Sequence, residues 1–462
     1  MYRDTEACFQ ALAAHDRRFD GKFFTAVITT GIYCRPICPA RPPLRKNIRF
    51  YPCAAAAESN GFRACKRCRP DTAPGSPAWV GTSATVRRAL RLIAEGKLSV
   101  DKLGVGDRHL RRLFQEELGA SPQAIAHVER LHFARKLIEE TTLPLGEIAF
   151  HAGFKSIRRF NDALKSALGK SPSDLRKSRK AVFDDDWLTL RLPYAEPYSW
   201  SGVIGFLTPR AIAGVETIEP HCYRRNFPTK EGHGTLEVRH RPEKRSIELR
   251  LTRVEPAALQ SVVTKVRRLF DLDAEPLLIA ADLGKDPVLG PLLDKHPGLR
   301  VPGAFDEFEL AIRAVLGQQV TVAGASTLTG RLAAKWGKPG LFPEPSVLVD
   351  ADLASIGLPL KRAETLRAIA QQFADHPDFL SETQNLEHAV ETLVAFPGIG
   401  PWTGHYIAMR ALGEPDAFPA SDLALMKAMD MKDPKKLEQH AESWRPWRAY
   451  AAMHLWMKGA SI

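Results

Sequence analysis

An aspartate and a set of cysteines stand out in this chain for the chemistry their types and spacing allow. Asp422 follows the turn Phe396-Pro397-Gly398-Ile399-Gly400-Pro401-Trp402-Thr403 by about twenty residues. A fixed carboxylate stabilises positive charge developing on a neighbouring carbon, as in an oxocarbenium-like transition state. The apolar run Leu423, Leu425 and Met426 places Asp422 at a helix N-terminus, where the macrodipole favours its ionised form. The plainer reading is that Ser421 and Asp422 only cap that helix. Cys34 and Cys38 are separated by three residues, Cys65 and Cys68 by two, and the pairs by about 26. Such spacings read as a tetrahedral four-thiolate site for one zinc ion. Zinc keeps a thiolate deprotonated, and the thiolate is the nucleophilic form. Cys8, Cys53 and Cys222 are left over and are expected to be buried.

Each group needs elements to hold it. Leu386, Val390, Leu393 and Val394 before the turn, and Tyr406, Ile407, Met409 and Leu412 after it, have helical spacing. A Pro-Gly-x-Gly turn between two such helices is a helix-hairpin-helix. Its glycines can take φ > 0 and bring bare backbone to a ligand. The second helix then offers free N–H groups to a DNA phosphate, which marks Gly398, Gly400 and Thr403 as DNA-binding candidates. Trp402, Tyr406 and Trp456 offer electron-rich faces, although core packing is the commoner fate of such residues.

Residues 300–460 resemble the HhH-GPD superfamily of DNA glycosylases, most closely the AlkA-type 3-methyladenine DNA glycosylase II. The likeness rests on four runs in order. They are Phe308 to Val320 (with Leu316-Gly317-Gln318-Gln319), the hairpin, Phe418-Pro419-Ala420-Ser421-Asp422, and Trp444 to Trp456. The resemblance implies that Asp422 is the catalytic carboxylate and that Trp402, Tyr406 and Trp456 line a base pocket. Gln319 stands where the family's helix-wedging leucine is expected. Relatives that also cut the backbone carry a lysine just after the hairpin. Pro401 and Trp402 occupy those positions here, so a monofunctional enzyme needing no cofactor for base excision is expected. No cysteine follows Cys222, which excludes the iron–sulfur cluster of some relatives.

Gly31-Ile32-Tyr33-Cys34-Arg35-Pro36-Ile37-Cys38, Asn47-Ile48-Arg49-Phe50-Tyr51 and Gly61-Phe62-Arg63-Ala64-Cys65-Lys66-Arg67-Cys68 are similar to the Ada-type methylphosphotriester repair domain. That likeness implies that Cys34 is both a zinc ligand and the acceptor of a methyl group from the DNA backbone. Nine Lys or Arg and a single acid, Glu58, lie between Cys34 and Arg69, which suits phosphate approach. Arg108 to Phe114, Gly119-Ala120-Ser121-Pro122 and Ala149 to Asn161 resemble an AraC-type pair of helix-turn-helix units. Gly153 sits where the turn before a recognition helix needs φ > 0, and Arg158 and Arg159 can meet phosphate or base edges. In the first unit Ser99-Val100-Asp101-Lys102-Leu103 runs almost directly into Gly104-Val105-Gly106, about one helical turn shorter than family members.

The expected architecture is multidomain α+β. It comprises a small zinc-binding α+β domain (1–75), an all-α AraC-type helix-turn-helix domain (83–180), an α+β AlkA N-terminal domain (187–295) and an all-α helix-hairpin-helix glycosylase domain (296–462). Residues 70–83 read as a linker, and a basic run turns acidic at 180–186. A net charge of +12 over 462 residues favours nucleic acid over small acidic substrates. No signal peptide or long apolar span is visible, so a reducing cytoplasm and no membrane are expected. The expected partners are double-stranded DNA bearing alkylated bases or methylphosphotriesters, then promoter DNA and RNA polymerase, with the chain acting as a monomer. The competing reading is a transcriptional regulator with a vestigial glycosylase.

Overall fold

In the computed structural model of this protein the described residues are 4–16, 19–65, 67–68, 70, 84–96, 103, 105–177, 187–383 and 385–459. The two linker segments and most of the shortened stretch of the first helix-turn-helix unit lie outside them. The chain divides into two compact units, Met1–Tyr194 with Ser246–Thr264, and Ala195–Arg245 with Lys265–Ile462.

The first unit opens with a four-stranded sheet in the order β3-β1-β2-β4. Its strands are β1 (Phe24–Val27), β2 (Ile32–Cys34), β3 (Ile48–Tyr51) and the two-residue β4 (Arg63–Ala64). Parallel pairing of β2 with β4 sets Tyr33 beside Ala64, so the residues that follow, Cys34 and Cys65, are brought together from distant parts of the chain. The helix Ala54–Ser59 presents four buried alanines. Without longer side chains it approaches closely: an added Cβ on Gly119 would meet the Ala56 Cβ at 3.5 Å. One apolar core therefore runs from Phe24 and Tyr33 of the sheet, through Ala54 to Ala57, to Val86, Leu110, Phe114 and Val128 of the helices beyond.

Those helices are Ala84–Ala94, Asp107–Leu118, Pro122–Glu140, Leu145–His151, Ile157–Leu168 and Pro172–Lys177. Asp107–Leu118 and Ile157–Leu168 each span 12 residues and end on a left-handed glycine, Gly119 at φ 67° and Gly169 at φ 65°. The first unit thus keeps a full-length helix at the recognition position, whatever the brevity of the stretch before it. Gly153 has φ 76°, as its turn requires. The paired strands β5 (Leu188–Pro193) and β9 (Ser246–Leu251) complete this unit.

The second unit joins a meander of β6 (Glu216–Glu219), β7 (Cys222–Thr229) and β8 (Gly232–Arg241) to a large helical body. Strand β6 was not apparent from the sequence: its alternation is carried by Glu216, Thr217, Ile218 and Glu219, with only one apolar side chain. The helical core gathers Phe308, Leu366, Leu393, Ile407, Leu425 and Leu455. The hairpin helices are Leu386–Val394 and Pro401–Ala411, and the last helix is Arg448–Gly459.

Candidate active site and metal centre

In the second unit Asp422 is the N-cap of the helix Leu423–Ala428. Its Oδ1 accepts the backbone N–H of Ala424 at 2.9 Å and of Leu425 at 3.0 Å. Two indoles also donate to it, Trp456 Nε1 to Oδ1 at 3.2 Å and Trp402 Nε1 to Oδ2 at 2.9 Å. The cap and the proposed chemical role therefore coexist in one side chain. Four N–H donors converge on an acceptor-only group, which is how a carboxylate is locked in place. Trp402 and Tyr406, one helical turn apart, stack at 5.3 Å with 6° between their planes, and Trp456 meets Tyr406 edge-on at 6.4 Å. The structure thus brings together Asp422, Trp402, Tyr406 and Trp456.

The loop that delivers Asp422 is held from the hairpin helix. His405 Nδ1 accepts the Phe418 N–H at 3.3 Å, and burial pushes the imidazole down to about 4, so the ring is neutral and free to accept. Tyr406 has a partner the sequence did not announce. Arg410 Nη1 donates to its hydroxyl at 2.8 Å, while Nε and Nη2 of the same guanidinium donate to the carbonyls of Pro302 and Gly303.

The hairpin departs in part from expectation. Gly398 takes φ +88°, and an added Cβ would meet Thr365 Oγ1 at 2.5 Å. Gly400 does not take a positive φ: it is the extended N-cap of Pro401–Ala411 at φ −96°, with open space where a Cβ would stand. A single left-handed residue suffices to reverse the chain, and Gly400 instead leaves the helix N-terminus uncovered. Thr403 is buried, its hydroxyl accepting from Gln318 Nε2 at 3.0 Å, so only its backbone faces the N-terminal turn. The same amide donates to the Gly398 carbonyl at 2.9 Å. Gln319, next in the chain, is exposed at φ +56°. Sequence reading singled out Gln319 and passed over Gln318, whose contacts are some eighty residues away.

In the first unit the Sγ atoms of Cys34, Cys38, Cys65 and Cys68 all lie within 4.8 Å of one another. Tetrahedral zinc at about 2.3 Å from each sulfur needs sulfurs about 3.8 Å apart, so the donor set fits that ion. It is the one such cluster among the described residues. Hydrogen bonds with Cys38 and Cys68, together with burial, push the Cys34 thiol up, while hydrogen bonds from Cys34 and Cys68 hold Cys38 down. The backbone N–H of Arg35 reaches Cys68 Sγ at 3.3 Å, and that of Arg67 reaches Cys65 Sγ at 3.4 Å. Arg35 is pinned by Asp20. Cys34 alone of the four is not buried. Cys8, Cys53 and Cys222 are buried, as expected. Arg41, Arg45, Lys46 and Arg49 are exposed on the same small module. On the recognition helices Arg108, Arg111, Arg112, Arg158 and Arg159 are all exposed, Arg158 with 93% of its side chain open.

Comparison with known proteins matches the metal binding domain of Ada at residues 7–71, a helix-turn-helix domain at 99–178, the AlkA N-terminal domain at 189–306 and the HhH-GPD superfamily base excision DNA repair protein at 312–446. The chain is 43% identical to a probable bifunctional transcriptional activator/DNA repair enzyme AlkA of Mycobacterium tuberculosis, over 99% of this chain and 97% of that one. It is 36% identical to DNA-3-methyladenine glycosylase 2 of Escherichia coli, over 57% of this chain and 95% of the other. Among solved structures a 3-methyladenine DNA-glycosylase from Archaeoglobus fulgidus superposes with a TM-score of 0.52 at 22% identity, covering 58% of this chain and 97% of that chain, a likeness of fold. No helix among the described residues is long and apolar enough to cross a membrane.

Proposed function

We infer, from the premise that the chain belongs to the AlkA-type family of DNA repair glycosylases that carry an Ada metal-binding domain and a helix-turn-helix domain, that it excises alkylated bases from double-stranded DNA. The observation that carries this reading is the Asp422 carboxylate held between the indoles of Trp402 and Trp456, with Tyr406 alongside. A nucleotide must leave the duplex before its glycosidic bond can be reached, and a damaged base costs least to flip. A ring-methylated purine such as 3-methyladenine is cationic, and each aromatic face attracts it by about 0.5–2 kcal/mol. The C1′–N bond then breaks with its electron pair leaving on the base. Asp422 offsets the charge left on the sugar, and water adds at C1′ with its proton passing to solvent. Gly398, Gly400 and the first-turn N–H groups up to Thr403 receive a phosphate, and Gln319 fills the stack left by the flipped base. With no lysine after the hairpin, no Schiff base forms, and borohydride should trap no adduct.

Cys34 is, in this reading, the acceptor of one methyl group from a methylphosphotriester. Its Sγ attacks the methyl carbon in line, the S–C bond forms, and the C–O bond breaks with its electrons left on the phosphate oxygen. Zinc bound by Cys34, Cys38, Cys65 and Cys68 would hold the attacking sulfur as thiolate. The transfer converts an anion to a thioether, so DNA affinity rises. Arg158 and Arg159 then engage promoter DNA, with RNA polymerase as a further partner and the cytoplasm as the setting. The deciding experiment is release of methylated purines from alkylated DNA, comparing the protein with Asp422→Asn. Undiminished release would end the assignment.

A further inference from the structure

The wall behind Tyr406 is unusually cationic for a site that is to receive a cation. Arg410 is buried, and all three of its donor nitrogens are committed, two to the backbone of Pro302 and Gly303 and one to the Tyr406 oxygen at 2.8 Å. Arg410 and Arg210 both lie over the Phe206 ring, at 4.9 and 3.8 Å. Arg313 pairs with Glu309 at 3.0 Å and Glu216 at 3.4 Å, and Arg225 pairs with the same two carboxylates at 2.7 and 3.5 Å. Four guanidiniums (Arg210, Arg225, Arg313, Arg410) against two carboxylates (Glu216, Glu309) leave a net +2. A positively charged purine stacked on Tyr406 would face that charge unless something cancelled it.

We propose that Arg410 and Tyr406 form one specificity device, in which the buried guanidinium hydrogen-bonded to the phenol oxygen makes the pocket wall select positively charged purines over neutral ones. This deepens the glycosylase reading and rests on it. Arg410 is a positioning residue that acts through Tyr406. The supporting electrostatics agree: although burial opposes it, Arg410, Arg210 and Arg313 together bring the Tyr406 hydroxyl down to about 8. The groups facing the phenol are Arg410 on its own helix, Arg313 with Glu309 on the helix Glu307–Leu316, Arg210 on the turn Thr208–Arg210, and Glu216 on β6 behind Arg313. Asp422 adjoins the same aromatic cluster through its hydrogen bonds from Trp402 and Trp456. His405 is turned to Phe418 and stays neutral. Ionisation of the phenol and binding of a cation then favour one another, since coupling between two sites is reciprocal.

The test measures single-turnover excision of cationic 3-methyladenine, which has no ring N–H to lose, and of neutral 1,N6-ethenoadenine across roughly pH 6.5 to 9, a span that brackets the ionisation expected of Tyr406. Preference for the cationic base should rise about three- to tenfold over that span, an effect of the size of one strengthened cation contact. Tyr406→Phe should remove the rise, and Arg410→Gln should move its midpoint upward. In the free protein a tyrosinate band in the near ultraviolet should appear over the same interval and be missing from Tyr406→Phe. If wild type and Tyr406→Phe share one pH profile while Asp422→Asn is inactive, the inference falls and the glycosylase reading stands. If Asp422→Asn remains active, that reading fails, and the ultraviolet titration still decides whether the phenol ionises. Equal losses on both bases in Arg410→Gln, with an unmoved midpoint, would reduce Arg410 to a structural fastener.

Discussion

Replacing Asp422 by Asn changes one atom, and the hydrogen bonds say what should follow. Three N–H groups (Ala424, Leu425 and Trp456) converge on Oδ1, and one (Trp402) on Oδ2. An asparagine oxygen placed at Oδ1 keeps the helix cap and the Trp456 bond. Its amide nitrogen then confronts the Trp402 indole, donor against donor. One lost bond with an orphaned partner costs about 1–3 kcal/mol, so the protein should melt lower yet remain folded. The catalytic loss is separate and larger. In the proposed mechanism Asp422 offsets the developing sugar charge, and removing that anion should lower the single-turnover rate by on the order of 10²–10³ or more. DNA binding, assigned above to the hairpin backbone and surface arginines as a proposal, should stay within about threefold, since neutralising one acid removes no phosphate contact. The assay is release of methylated purines under single turnover, beside a binding titration and a thermal melt. A variant that melts lower but excises at the wild-type rate would refute the electrostatic role and leave Asp422 as a helix cap. A variant that fails to bind DNA would mean that the lost indole bond had collapsed the site.

Gly398→Ala should cost about 2–4 kcal/mol, because φ +88° is strained for alanine and its Cβ would meet Thr365 Oγ1 at 2.5 Å; Gly400→Ala, with open space and an extended backbone, should fold normally and lose DNA affinity instead. Incubation with methylphosphotriester DNA should place one methyl on Cys34 alone, read by peptide mass mapping, and raise DNA affinity by a factor that shrinks with salt; a methyl on another cysteine would overturn the acceptor assignment. His454 is buried and held down to about 4, against about 6.5 unfolded. The unfolded chain therefore takes up the proton first, and stability is lost as pH falls from about 6.5 to about 4, by roughly 2–3 kcal/mol. Denaturant melts at the two ends of that window should show this loss together with a similar one from His405, also held down to about 4, so His454→Gln should remove about half of the pH dependence.

Much of the site was legible in the sequence because its signals are local. A turn that needs glycine, a carboxylate ahead of an apolar helix, and cysteines at metal spacing each occupy a few neighbouring positions. Local signals of this kind singled out the hairpin, Asp422 and the four cysteines; Trp402, Tyr406 and Trp456 were named through the family resemblance, and in the fold they lie beside Asp422. What escaped is non-local. Arg410 on a helix reads as a solvated residue, and nothing near it says that its partners are carbonyls 107 and 108 residues away. Gln318 looks like a neighbour of the exposed tip residue Gln319, yet its contacts lie on the hairpin. Thr403 looked available to DNA for the same reason. Among elements, the strands rich in apolar alternation were visible, whereas β6, with a single isoleucine, was not. Gly400 was misjudged because composition does not say which of two glycines turns the chain.

The alanine helix Ala54–Ser59 has a bearing on ancestry. Its side chains are so small that they serve as a seam, with the thiolate module on one side and the first reading helices on the other. A lineage that deleted the cysteine module would lay bare Val86, Leu92, Leu110 and Phe114 to water, and one that deleted the helices would strip the cover from Tyr33 and Phe62. The cysteine module and the helix-turn-helix domain share one apolar core and are covered only as a pair. A gene that borrows one for a new fusion is under physical pressure to take the other with it.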